Sequence, residues 1–228
     1  SDPPGGSNRI GAEIVAVGRA QLAAYRTVDF IDGAAASADG ESGRFLVTLE
    51  DGRELRGARL ILAIGVRDEL PALPGLRQRW GQTVLHCPYC HGWEVRDQAL
   101  GVLGTHTAAG AHAQLVRQWS DDVVFFVHHY VLSDGERAGM EARGIHVVDA
   151  EVERLVVDRD RLTGVRLVNG RFVPRDAVFV RPAMSPRPDG LLIGLGCEIA
   201  DTGFAAVDAT GRTSVPGVWA AGNAVDPR

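Results

Sequence analysis

The run His86-Cys87-Pro88-Tyr89-Cys90-His91-Gly92-Trp93-Glu94 sets two of the chain's three cysteines two residues apart between histidines. Two thiols at that spacing make a redox pair, a metal claw or a haem anchor. A neighbouring imidazole can draw a thiol pKa from ~8.5 into the neutral range and leave a nucleophilic thiolate. The bland alternative is a pair of small apolar residues beside a turn, and a chain that uses cysteine so sparingly points instead to chemistry. The haem reading of Cys-x-x-Cys-His needs export, a distal ligand and a small helical domain. The zinc reading needs His86, Cys87, Cys90 and His91 to converge on one tetrahedral ion, which near-adjacent residues do poorly, and no second Cys-x-x-Cys completes the set. No metal ligand set is therefore expected, and a zinc-stabilised or redox-sensing module stands only as the alternative of another class. The third cysteine, in Leu195-Gly196-Cys197-Glu198, reads as a small buried apolar residue.

The elements that must hold the pair come in two groups. Before it, Ile10 to Tyr25 spaces apolar residues as a helix would, and short β-type runs follow at Val28 to Ile31, Arg44 to Leu49 and Leu60 to Gly65, with an Asp51-Gly52 turn. Leu60-Ile61-Leu62-Ala63-Ile64-Gly65 is apolar on both faces, as a buried parallel strand is. Leu70 to Leu76, punctuated by Pro71, Pro74 and Gly75, reads as a linker. After the pair, a strand at Ala99 to Gly104, a helix over Ala108 to Trp119 and a strand at Val123 to Val127 form a βαβ unit, extended by a helix over Glu136 to Arg143 and a strand at Ile145 to Val148. Val152 to Val157, Leu162 to Val168 and Arg171 to Val173 alternate as an antiparallel meander, and Ala177 to Val180 closes the unit. Pro182, Pro186 and Pro188 mark a second boundary, and Val215 to Asn223 is a strand entering a tight glycine turn. An α/β unit is thus nested between two pieces too small to fold alone, and the halves share a loose strand-and-meander plan.

Composition sets limits on partners. The 228 residues are 45% hydrophobic and 23% charged with a net charge of −5, which suits a soluble globular protein with one substantial core or two modest ones. Neither the charge nor any Lys/Arg cluster favours nucleic acid. No apolar run reaches the ~18 residues of a spanning helix, and Ser1 to Ser7 lacks the features of a signal peptide. A cytoplasmic location away from membranes is expected.

Three motifs in order resemble the low-molecular-weight thioredoxin reductase group of flavin disulfide oxidoreductases over nearly the whole chain. Ala63-Ile64-Gly65 stands where that family's strand ends before crossing into the pyridine nucleotide domain. Cys-Pro-Tyr-Cys opens the inserted domain, and Gly217 to Asn223 matches the second flavin motif, which usually ends Gly-Asp. The resemblance implies an α/β fold of two nested Rossmann-like three-layer domains with β-meanders. Residues 1–83 and 187–228 would form the FAD-binding domain, and 84–186 an inserted NAD(P)-binding-like domain carrying the pair. No Gly-x-Gly-x-x-Gly turn precedes Ile10, so the FAD-binding domain is expected to be incomplete at its N-terminus.

FAD would then be held by Ala63, Gly65, Gly222 and Asn223, where asparagine can bond a hydroxyl but lacks the family's carboxylate charge. Gly101 and Gly104 approximate a dinucleotide turn, which admits NADPH as a second cofactor. After the next strand, however, His128-His129-Tyr130 replaces the Arg pair that NADPH-using relatives present to the adenosine 2′-phosphate, and neutral imidazoles clamp phosphate poorly. Classical reductases carry Asp after the second cysteine, where this chain has His91. Cys-x-x-Cys-His is similar to a dithiol oxidase subgroup that passes electrons through FAD to oxygen. An imidazole, which ordinarily titrates near ~6.5, is a better base than a carboxylate for a substrate thiol at neutral pH, although His91 and His86 also have purely structural readings. By the family pattern Cys90 faces the flavin and Cys87 exchanges with substrate, so the expected catalytic set is Cys87, Cys90 and His91. The expected function is FAD-dependent oxidation of a dithiol, the alternative an NADPH-dependent disulfide reductase. The expected partner is a small dithiol or disulfide or a thioredoxin-like protein, and the family's usual assembly is a homodimer.

Overall fold

The computed structural model describes residues 6–187 and 190–226. In chain order its elements are helix α1 (Gly6–Leu22), strands β1 (Ala35–Glu41), β2 (Arg44–Leu49), β3 (Glu54–Gly57), β4 (Leu60–Leu62), β5 (Val66–Glu69) and β6 (Val84–Leu85), and the single-turn helix α2 (Pro88–His91). They continue with β7 (Leu100–Leu103), α3 (Ala109–Val116), β8 (Val123–Phe126), α4 (Asp134–Glu141), β9 (Ile145–Val148), β10 (Val152–Asp158), β11 (Arg161–Leu167), β12 (Phe172–Pro174) and β13 (Ala177–Val180). Last come β14 (Ala183–Pro186), α5 (Leu191–Gly194) and β15 (Val218–Ala220), followed by a 3₁₀ turn at Gly222–Ala224. No helix among the described residues is long and apolar enough to cross a membrane. The fold is α/β and Rossmann-like.

Contacts divide the chain into two units, one spanning Leu70–Ala183, with which α1 is grouped, and one made of Arg26–Glu69 and the segment from Met184 onward. The first is built on a parallel sheet of order β6-β13-β7-β8-β9. Its strands are buried on both faces, and period-two alternation sorts the side chains into two cores. Leu100, Val102, Val123, Phe125, Ala177 and Phe179 meet Ala109, Ala113 and Val116 of α3 and Met140 of α4. Leu103, Val124, Phe126, Val178 and Val180 meet Leu155, Val165 and Leu167 of the antiparallel meander β10-β11-β12. Helices, sheet and meander form the three layers.

Helix α4 begins with a reciprocal cap, in which the Ser133 side chain accepts from the Glu136 amide and the Glu136 carboxylate accepts from the Ser133 amide. The same carboxylate takes a hydrogen bond from the Tyr130 hydroxyl, which holds Glu136 below the usual carboxylate range and raises the phenol. Ser133→Ala is expected to cost ~1 kcal/mol of stability in urea unfolding with an unchanged m-value. A loss below ~0.3 kcal/mol would show that the cap is idle.

The second unit packs Phe45, Leu62, Leu191, Leu195, Val218 and Ala220 into one core that also buries Cys197. Its three-stranded meander β1-β2-β3 matches the meander of the first unit in plan, and β4 pairs in parallel with β15.

One expectation is corrected here. Val28 to Ile31 is not a strand, and its Phe30 and Ile31 are exposed; the first strand is Ala35-Ala36-Ser37-Ala38-Asp39-Gly40-Glu41. Pairing with β2, Ala38 against Val47 and Gly40 against Phe45, overrides the low β-propensity of that run. The linker from Leu70 to Leu76 groups by contacts with the inserted unit. Leu70, Leu73 and Leu76 lie on the meander-side core, and the Leu155 amide donates to the Pro74 carbonyl at 2.9 Å. A Cβ on Gly75, whose φ is +84°, would stand 2.3 Å from the Leu155 carbonyl oxygen, so only glycine admits that approach. At the far end, β14 pairs with β5, and the contact grouping of the second unit resumes at Met184.

Candidate functional site: a disulfide turn on the nucleotide-type unit

Strand β6 leads from buried Val84 and Leu85 straight into His86 and Cys87. Cys87, still extended, is the N-cap of α2, and Pro88 follows at the first helical position, where its missing N–H costs nothing. The Cys87 Sγ accepts from the Cys90 amide at 3.2 Å, and the His91 amide donates to the Cys87 carbonyl at 3.1 Å. Cys87 and Cys90 form a disulfide, with Cα atoms 5.2 Å apart. In that state neither sulfur offers a thiolate to zinc.

The turn closes at Gly92, where a Cβ would stand 2.5 Å from the Trp119 indole and 2.4 Å from the Pro88 carbonyl oxygen. Glycine there allows the turn to lie on the segment that follows α3. Cys90 is exposed and Cys87 half-buried. Tyr89 and Trp93 flank the pair as exposed aromatics, and the Arg96 guanidinium lies 3.8 Å over the Trp93 ring. His91 is half-buried at the end of α2.

Beneath the turn lies a residue that the sequence reading passed over. His112, in the middle of α3 and 4% exposed, brings its Nε2 within 2.9 Å of the His86 carbonyl oxygen. Burial lowers its pKa to about 4, with the neighbouring His86, Arg181 and His106 adding to the effect and the His86 carbonyl opposing it. The ring is therefore neutral at pH 7, Nε2 carries the proton and donates, and Nδ1 is left buried without a hydrogen bond. The sequence signal was a lone imidazole in the apolar run Ala109-Gly110-Ala111-His112-Ala113. His106, also lowered by burial and by Arg181, accepts the Ala108 amide on Nδ1 at 3.0 Å.

The two glycines expected at a dinucleotide turn part company. Gly101 lies inside β7, where a Cβ would meet Phe126 at 3.0 Å and Val178 at 3.2 Å. Packing across the sheet accounts for a glycine at that position. Gly104 does stand at the carboxyl end of β7, and a Cβ there would lie 2.4 Å from the Val127 carbonyl oxygen. That end adjoins β13, which continues into Arg181, and β7 and β13 flank the point where the sheet order reverses. Such switch points are where open parallel sheets receive ligands.

After β8, His128 takes a positive φ of 50° and accepts the Val152 amide on Nδ1 at 3.0 Å. With His129 and Glu151 it brings metal-ligating atoms within 4.8 Å of one another. The bond on Nδ1 keeps the proton of the neutral His128 ring on Nε2, however, so that nitrogen has no lone pair for a metal.

In the second unit, β4 and β15 end side by side, and the Ala221 amide donates to the Leu62 carbonyl at 3.1 Å. Ala63 and Gly65 follow β4, and Gly222 and Asn223 follow β15. Gly65 and Gly222 have φ of +70° and +65°, and a Cβ on either would meet nothing within 4 Å. Ile64, Gly65, Leu192, Ile193 and Ala224 line an apolar cleft of about 160 Å³ beside these strand ends. An open, apolar edge with glycine backbone and the exposed Asn223 amide fits an extended flavin nucleotide. The predicted handles Ala63, Gly65, Gly222 and Asn223 thus share one edge, while Cys87, Cys90 and His91 share one turn of the other unit.

A chain with one parallel-sheet unit carrying a disulfide turn and a second unit carrying a glycine-edged parallel pair is a dinucleotide-type redox protein. Residues 12–228 match the family model described as pyridine nucleotide-disulphide oxidoreductase, and the chain belongs to that family. It is 29% identical over 219 residues to the thioredoxin reductase sirT of Leptosphaeria maculans, covering 88% of this chain and 66% of that protein. The crystal structure of HlmI matches with a TM-score of 0.84 and 51% identity over 95% of this chain and 69% of that one. An oxidoreductase from Agrobacterium tumefaciens matches with a TM-score of 0.84 and 33% identity, covering 95% and 73%. The chain thus spans about two thirds of the length of these relatives. The family is one of flavin disulfide oxidoreductases with thioredoxin reductase-like members that use FAD and typically NADPH.

Proposed function

We propose that this chain carries the dithiol site of an FAD-dependent thiol/disulfide oxidoreductase that oxidises a small dithiol. The supporting observation is the closed Cys87–Cys90 disulfide on an exposed turn, with His91 in the same turn of helix. A substrate thiol gives its proton to His91 and attacks one sulfur of the disulfide, forming a mixed disulfide and releasing the other as thiolate. The second substrate thiol then displaces the enzyme sulfur, so the substrate closes its own disulfide and Cys87 and Cys90 hold the electron pair. The second unit, through Ala63, Gly65, Gly222 and Asn223, would hold FAD, which when bound supplies a two-electron acceptor to re-form the disulfide. The exposed Tyr89 and Trp93 rings flanking the pair would give the substrate apolar surface to lie on.

A second reading, an NADPH-driven disulfide reductase acting on a thioredoxin-like protein, is favoured by the parallel sheet with Gly104 at its switch point. Against it, His128 and His129 stand after β8 beside the Glu151 carboxylate, with His129 Nε2 3.7 Å from Glu151 Oε1, an arrangement that offers a 2′-phosphate no fixed cation. The two readings part in one experiment on the flavin-loaded protein, bleaching of the flavin by NADPH or by a small dithiol under anaerobic conditions. The dithiol is expected to bleach it at least ~10²-fold faster than NADPH at equal concentration. Faster bleaching by NADPH would overturn the oxidase reading.

A further inference from the structure

The dithiol turn is tied to α3 and the segment after it at both ends. At its start the His86 carbonyl accepts from His112 Nε2; at its close Gly92 lies against Trp119, and the Asp97 amide donates to the Trp119 carbonyl at 2.9 Å. The backside contacts are a close glycine packing and a backbone bond. The front tie is a side chain, and among the described residues this is its one hydrogen bond. The His112 ring meets the Phe179 ring edge-on with centroids 5.9 Å apart, and the His86 ring edge-on at 6.4 Å, so the sheet fixes its plane.

His112 is a costly choice for that place. Among the described residues its buried Nδ1 has no hydrogen-bond partner, and an unpaired buried acceptor costs ~1–3 kcal/mol. A leucine of similar bulk would avoid that cost and keep the apolar packing. What leucine would lose is the donor to the carbonyl immediately preceding Cys87. We propose that His112 is a positioning residue for the Cys87–Cys90 pair, its Nε2–H fixing the His86 carbonyl and so the backbone that enters Cys87, which sets the balance between disulfide and dithiol.

The inference rests on the reading of the pair as redox-active. Its physical basis is the restraint itself: a disulfide forms in proportion to how well its two sulfurs are held within bonding geometry. With the tie cut, the segment entering Cys87 gains freedom chiefly in the dithiol form, where no S–S bond limits it. The equilibrium then moves toward dithiol.

The test equilibrates the whole chain in buffers of reduced and oxidised dithiothreitol, followed by acid quench, alkylation and mass measurement. In this exchange a reagent thiolate attacks the protein disulfide, its second thiol closes the reagent ring, and Cys87 and Cys90 leave as two thiols, so two electrons and two protons pass to the protein. His112→Leu is expected to shift the equilibrium about tenfold toward dithiol, or about 30 mV. His112→Gln, whose amide N–H can reach the same carbonyl, should return to within about twofold of the parent. A His112→Leu protein within about twofold of the parent, or equal shifts in both variants, would overturn the proposal.

Should His112→Leu fail to fold, the parent protein decides alone. The ¹⁵N resonances of His112 should show Nε2–H and bare Nδ1, and they should move when dithiothreitol opens the disulfide. Resonances that ignore reduction would sink the idea. None of these readouts requires flavin or substrate. The expected shift in a protein whose flavin no dithiol bleaches would therefore remove the oxidase reading and leave the role of His112 standing, while bleaching without the shift would do the reverse.

Discussion

Cys90→Ser and Cys87→Ser are each expected to lower dithiol-driven bleaching of the flavin by at least ~10³-fold. A serine hydroxyl cannot join a disulfide, so electrons from the substrate have no covalent route to the second sulfur. Cys87 and Cys90 contribute little to either core of their unit, and the turn keeps its backbone bonds, so both variants should unfold at nearly the urea midpoint of the parent reduced with dithiothreitol. Either variant that retained more than ~1% of the parental rate would remove the pair from the mechanism.

The same two proteins tell the sulfurs apart. The family resemblance gives Cys87 to substrate and Cys90 to flavin, yet Cys90 is the more exposed residue and Cys87 is half-buried as the N-cap. A reactive aromatic disulfide reagent should label the surviving thiol of each variant, and the faster of the two is the sulfur open to substrate. If Cys87 in Cys90→Ser reacts faster, the family's order holds despite its burial. If Cys90 in Cys87→Ser reacts faster, exposure decides, and the roles are exchanged.

The second large effect is on stability. Between pH 7 and pH 4 the free energy of unfolding is expected to fall by about 3 kcal/mol on account of His112 alone. Its folded pKa is pushed down to about 4 by burial, against ~6.5 for the unfolded chain. Between those values the unfolded chain binds the proton and the native protein does not. The neutral ring's contribution is therefore whole above ~6.5 and is lost as pH falls to about 4. The groups facing the ring, His86, His106 and Arg181, are cations or become so in acid, and they push in the same direction. His106 and His128, also lowered by burial, add smaller losses over the same window. Urea unfolding of the parent and of His112→Gln from pH 7 to pH 4 separates these contributions. Profiles that differ in slope by less than ~1 kcal/mol across the window would show that His112 is not the titrating group.

The sequence by itself determined the chemistry that lies close along the chain. Cys87, Cys90 and His91 fall within five residues, and one helical turn gathers them whatever the rest of the fold does. The apolar runs at Val123 to Phe126 and Ala177 to Val180 are legible as buried strands because both faces of a sheet demand apolar residues, and the meander β10 to β12 is legible from its alternation and turns. Gly65 and Gly222 were found as strand-end glycines for the same local reason, a backbone that must turn at positive φ.

What tertiary structure alone decided concerns partners far apart in sequence. The strand Ala35–Glu41 exists through its pairing with β2, since its Ala, Ser, Asp and Gly have no preference for extended chain. Gly101 looked like part of a dinucleotide turn, and only the packing of Phe126 and Val178 across the sheet shows why no side chain fits there. The linker at Leu70 to Leu76 joined the inserted unit because the meander offers its leucines a core. His112 lies 26 residues from the carbonyl it holds. Nothing in its immediate neighbours specifies that bond, which forms only when α3 docks on the sheet and sets one imidazole under the entrance to the disulfide turn.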